Sequence, residues 1–156
     1  MGFFIRKDNM YNVKEIVEYV RYRTEEIEDM ISNLKLQKVL YFIQAEFLVR
    51  FGYPCFTEPI EAWDFGPVVP SVYMKYKVYG AASIPYFHFE KGKYFPFSEE
   101  EKKAMDEMIE FLEPYQACQL TDITMHQTPW KDAHWRHDKE ITNESLREYF
   151  ATKATH

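Results

Sequence analysis

Glycine and cysteine are scarce in this sequence, and each scarcity removes a class of function. Five glycines among 156 residues leave little material for a phosphate-cradling loop, and neither a GxGxxG nor a Walker pattern occurs. No cofactor is expected. The two cysteines, Cys55 and Cys118, stand far apart and outside any CxxC pair, which supplies neither a disulfide framework nor a zinc site. A reducing cytoplasm is the compartment that fits. Positive charge is also short, with 19 Lys and Arg against 25 Asp and Glu and a formal net charge of −6. That field repels a phosphate backbone, so nucleic acid is not an expected partner. Long apolar runs are missing as well. Met1-Gly2-Phe3-Phe4-Ile5-Arg6 carries a short apolar stretch, Arg6 stands where N-myristoylation needs Ser or Thr, and no later segment approaches a membrane span. No membrane association is expected.

What remains is a chain able to fold. A hydrophobic content of 46% beside 28% charged residues can offset the entropy of ordering, and the length suits one core, so 1–156 reads as a single domain. Tyrosine nearly equals phenylalanine, 12 against 13. A ring with a polar tip serves a core edge, and it also suits a protein interface, where tyrosine is enriched.

Periodicity points to a mainly α (α+β) fold, five or six helices with a small β-strand or hairpin element. Val13, Ile16, Val17 and Val20 follow helical spacing behind Asn12, which predicts a first helix over 13–23. Ser32 or Asn33 caps a longer helix carrying Leu36, Val39, Leu40, Ile43, Phe47 and Leu48, stopped by Gly52 and Pro54. Residues 60–65 alternate as one short strand, Gly66-Pro67 bends the chain, and Pro70 opens a short helix closed by Gly80. The alternating aromatics of 86–97 around Glu90-Lys91-Gly92-Lys93 predict a hairpin. Ser98 and Glu101 form a capping box for a helix with Met105, Ile109 and Leu112 on one side. Between Ser98 and Glu113 seven carboxylates face two lysines, which marks the other side as a solvated face. A helix over 117–125 ends before Pro129, Thr142 or Asn143 caps a last one reaching Tyr149, and 152–156 reads as a frayed tail.

Catalytic chemistry has little support. His126, His134 and His137 cluster downstream of Cys118, yet without HExxH or paired cysteines the spacing is not that of a metal site. Cys118 and Ser71 lack the contexts that activate a nucleophile. Glu61 and Asp64, three apart in an extended segment, point to different faces. The unusual stretch runs instead from Trp63 to Tyr73. Trp63, Asp64, Phe65, Gly66, Pro67, Val68, Val69 and Pro70 are too apolar for an ordinary loop. A rigid apolar bend can dock on a partner at low entropic cost, or plug the chain's own core.

Three motifs carry a resemblance. Leu34-Lys35-Leu36-Gln37-Lys38 with Leu40-Tyr41-Phe42-Ile43-Gln44-Ala45, then Glu61-Ala62-Trp63-Asp64-Phe65-Gly66-Pro67-Val68 with Tyr73, then His126 with Pro129-Trp130 and Ala133, together resemble the Panacea domain of SocA-like antitoxins. The resemblance spans 34–133, and its middle motif is the most specific. It implies a non-enzymatic antitoxin, often encoded by a prophage or other mobile element, that neutralises a cognate protein toxin by direct contact. Some relatives act instead as adaptors delivering the toxin to a protease, and a small enzyme using His126 or Cys118 is the reading from a different class. On this resemblance Trp63, Asp64, Phe65, Gly66, Pro67, Val68 and Tyr73, with Lys35, Lys38 and Tyr41 beside them, are the expected partner-binding residues. His126, Pro129 and Trp130 form an expected structural clamp. Gln127-Thr128 departs from the acidic residues that relatives often carry at that step.

Overall fold

The computed structural model describes residues 10–154. Among them lie seven α-helices and three short strands, a mainly α architecture with a small β element, as periodicity predicted. Helix α1 (Val13–Glu26) starts at a full capping box in which Asn12 accepts the Lys14 N–H and Glu15 reaches back to the Asn12 N–H. Helix α2 (Asn33–Arg50), capped by Ser32, is the centre of the molecule. It packs against α1, α3 (Pro70–Tyr76), α4 (Glu99–Leu112), α5 (Ala117–Met125) and α7 (Asn143–Ala154). Enclosure on so many sides explains its composition, because a helix apolar all round is a buried one. Among the described residues no helix is long and apolar enough to cross a membrane.

Strands β1 (Ile60–Trp63), β2 (Gly66–Val68) and β3 (Glu140–Ile141) form an antiparallel sheet in the order β2-β1-β3. On β1 the pleat turns Ile60 and Ala62 into the core and leaves Glu61 and Trp63 half-buried on the other face. Trp63 pairs with Gly66, so the reversal falls on Asp64-Phe65 and not on Gly66-Pro67. Gly66 and Pro67 lie within the returning strand. The positive φ of Gly66, 102°, is what closes so tight a hairpin.

Helix α6 (Thr128–His134) is additional to the expected set. Pro129 opens this helix, its missing N–H costing nothing in a first turn. The hairpin expected over 86–97 does not form. Those residues run as irregular chain laid against α1, with Phe95 and Phe97 sunk beside Tyr19 and the peptide N–H groups of Phe87, His88 and Phe89 given to the Glu25 carboxylate. A side chain of α1 thus takes the donors a partner strand would have used. Helix α1 continues to Glu26, and α7 runs through the expected fray to Ala154, with 155–156 of that tail outside the described residues. The Ser98–Glu101 capping box is present, and the Glu101 carboxylate is buried, accepting the hydroxyls of Tyr11 and Tyr53.

Candidate functional site

One stripe of α2 interrupts its apolar surface. Asn33, Gln37, Tyr41 and Gln44 recur at helical spacing with Lys38 beside them, and all are buried. Buried polar groups need partners, and here nearly all of them bond to the segment 55–73 or its support. Gln44 accepts the N–H groups of Cys55 and Phe56 and donates to the Phe56 carbonyl. Gln37 accepts the Val69 N–H at 2.8 Å and donates to Asn33, which in turn donates to the Tyr73 carbonyl. Lys38 donates to the Pro67 carbonyl at 3.0 Å. Tyr41 donates to Gln127, the N-cap residue of α6, at 2.7 Å. From α6 the Trp130 indole donates to the Trp63 carbonyl at 2.9 Å. The hairpin is therefore held from beneath by α2 and from the side by α6.

Lys38 is the most demanding member of this set. Its amine is fully buried, makes one hydrogen bond and lies 5.9 Å from the centre of the Phe65 ring. Loss of hydration pulls its pKa down to about 7. A Cβ at Gly66 would stand 2.8 Å from both its Cε and Nζ. Burial likewise pushes the Tyr41 phenol up, so it stays a neutral donor. The role expected for Lys38 and Tyr41 at a surface does not fit this geometry, since neither reaches solvent. Gly66, Pro67 and Val68 are buried as well. Lys35 is nearly so, and its amine donates to the Glu113 carbonyl at the end of α4.

The outward side of the hairpin is different. Trp63, Phe65 and Tyr73 form a closed trio of half-buried rings, with centroid separations of 5.7, 5.2 and 5.5 Å. The Trp63 indole N–H is occupied by Glu61 at 2.8 Å. Asp64, at the tip, has a 94% exposed side chain, with His134 Nε2 3.9 Å away. His134 stacks on Trp130 at 4.4 Å, and its Nδ1 is buried without a hydrogen-bond partner. Next to it Trp135 is 85% exposed. The surface thus carries an aromatic patch, one projecting carboxylate and a neighbouring indole.

The expected clamp divides. Trp130 and Pro129 are buried in α6, whereas His126 caps the end of α5 with its ring in solvent, Nδ1 resting 2.8 Å from the Asp122 carbonyl. It does not touch the clamp. Asn33, Gln37, Gln44 and Gln127 were absent from the expected site. For the first three the signal was readable, a polar stripe at three- and four-residue spacing on an otherwise apolar helix. Among the described residues no three His, Cys, Asp or Glu side chains converge as metal ligands would.

The Antitoxin SocA-like, Panacea domain family matches residues 36–131, more than half of the chain, taking in the polar stripe from Gln37 onward and the hairpin. The chain belongs to this family. Within the Panacea domain, the α2 motif and the Trp63–Val68 motif are thus the two halves of one interlocking unit. Antitoxin SocA of Caulobacter vibrioides (strain NA1000 / CB15N) is 52% identical over 54 residues. That alignment covers 35% of this chain and 29% of the relative's length. No solved structure matches the chain.

Proposed function

We propose that this Panacea-domain protein is the antitoxin of a toxin–antitoxin pair, and that it neutralises a cognate toxin by direct binding through Trp63, Asp64, Phe65 and Tyr73. The observation that carries this reading is the contrast between the two sides of the hairpin. Its inner side is fixed by buried hydrogen bonds, while its outer side offers three mutually packed rings and an exposed carboxylate. A surface ordered before binding loses little entropy on docking, and aromatic anchors dominate interface energies. Membership of an antitoxin family supports the same role, which needs no catalysis.

Lys38, Tyr41, Gln37 and Trp130 act here as positioning residues. Lys35, Gly66, Pro67 and Val68 belong to the framework beneath the surface. The test is co-expression with the product of the adjacent reading frame. Asp64→Arg and Phe65→Ala should each abolish growth protection and pull-down while the circular dichroism spectrum stays native, with the lost ring alone costing about 2 kcal/mol of binding. Protection that survives both changes in a folded protein rejects this face. Toxin abundance separates masking from delivery to a protease: masking leaves it unchanged, and an adaptor lowers it.

A further inference from the structure

Helix α3 has a second working face. Tyr73 looks toward the hairpin, whereas Val72, Lys75 and Tyr76 look toward α1. Between α3 and α1 lies a cavity of about 360 Å³ with Val13, Val17 and Val72 in its lining. Phe87 and Phe89 close one side of it. They belong to the irregular 86–97 segment, which the Glu25 carboxylate fastens to α1 with His88 in the left-handed region at φ 66°. A volume of this size matches a small organic molecule.

The charges around this cavity are unevenly satisfied. Glu58 accepts the Val13 N–H at 3.2 Å, and Glu18 pairs with Lys93 at 3.4 Å. The partners of the cations are neutral groups. Arg21 donates to the Tyr76 hydroxyl and the Pro85 carbonyl and lies against the rings of Tyr76, Phe87 and Phe89. Lys75 rests over the Tyr76 ring. Neither of these, nor Lys14 at the rim, has a carboxylate partner among the described residues, although the chain as a whole carries a net charge of −6. Three cations with no carboxylate partner among the described residues, against Glu58 and the Lys93-paired Glu18 in the same lining, complement one kind of ligand around an apolar floor.

We infer that the α1–α3 cavity is a binding site for a small organic anion, an aryl or acyl body seated on Val17 and Val72 with its acidic head among Lys14, Arg21 and Lys75. Anilinonaphthalene sulfonate, titrated into the full-length protein and followed by fluorescence, has this chemistry. Its neutral counterpart phenylnaphthylamine lacks the head group. One saturable sulfonate site is expected, with amide shift changes centred on Val17, Val72 and Tyr76. Lys14→Glu with Lys75→Glu should weaken sulfonate binding at least about tenfold and leave the neutral probe unaffected. Ser71→Trp, at the cavity rim, should block both probes. Should the double reversal disturb the circular dichroism spectrum, Lys14→Gln with Lys75→Gln gives the same comparison with a smaller expected loss. Non-saturable binding, shift changes centred elsewhere, or a sulfonate affinity within about twofold of the native value in the folded charge variant would overturn the inference.

Discussion

The amine nitrogen of Lys38 lies 2.8 Å from the point where a Cβ on Gly66 would stand. Two residues distant in sequence therefore occupy one small space, and the hairpin closes over a buried lysine only because position 66 has no side chain. Their hydrogen-bonded neighbour Pro67 completes the unit.

Gly66→Ala should destabilise the protein by about 2–4 kcal/mol, combining backbone strain at positive φ with loss of the Lys38–Pro67 bond. Gly52 provides the control, since it also has positive φ but nothing within 4 Å of an added Cβ. Urea unfolding should show a clearly smaller loss for Gly52→Ala. Equal losses would mean that the contact with Lys38 is without energetic weight.

The lowered pKa of Lys38 sets a pH dependence. Between about 7 and the ordinary value of 10.5, the unfolded chain binds a proton at this amine that the folded chain does not. Stability should accordingly rise with pH, by up to about 1.4 kcal/mol per unit. From about pH 9 upward the Cys55 thiol, pushed up chiefly by burial and then by Glu101, begins to act in the opposite sense. Over the window from about 7 to 9, Lys38→Met should flatten the slope, and its stability relative to the native protein should be most favourable at the acid end. Parallel slopes in urea denaturation would contradict this account.

Trp130→Phe keeps the ring in its place against His134 and removes the donor to the Trp63 carbonyl. The cost should be about 1 kcal/mol. Amide exchange should accelerate at Trp63 and Gly66 and stay unchanged in α1.

Gln37→Ala should cost about 1–3 kcal/mol, because it leaves the buried Val69 N–H without an acceptor. Gln44→Ala strands three backbone groups of Cys55 and Phe56 and should cost more. Thermal denaturation of the two variants ranks them directly.

The cysteines should differ in reactivity. Cys118 is exposed and Cys55 fully buried, so an alkylating reagent should label Cys118 in the native protein and Cys55 only after unfolding. Mass spectrometry of peptides before and after denaturant reports the order.

Local chemistry alone settled a good part of this molecule. Asn12 with Glu15 and Ser98 with Glu101 start helices by bonds within one turn, and the apolar run of α2 marks a central helix wherever it is placed. Such features depend on residues three or four apart, so sequence spacing carries them. The motifs around Lys38 and Trp63 were legible as a family pattern in the same way. Their division into inner and outer groups was not. Lys38 and Tyr41 read as surface residues until α5, α6 and the hairpin enclosed them, and Asp64 and Gly66 read alike as partner-binding residues until the fold exposed the one and buried the other. The absent 86–97 hairpin has the same origin, because Glu25, more than sixty residues away, captures its amides. Burial and long-range hydrogen bonding are properties of a closed packing, and only the tertiary structure decides which residues it closes over.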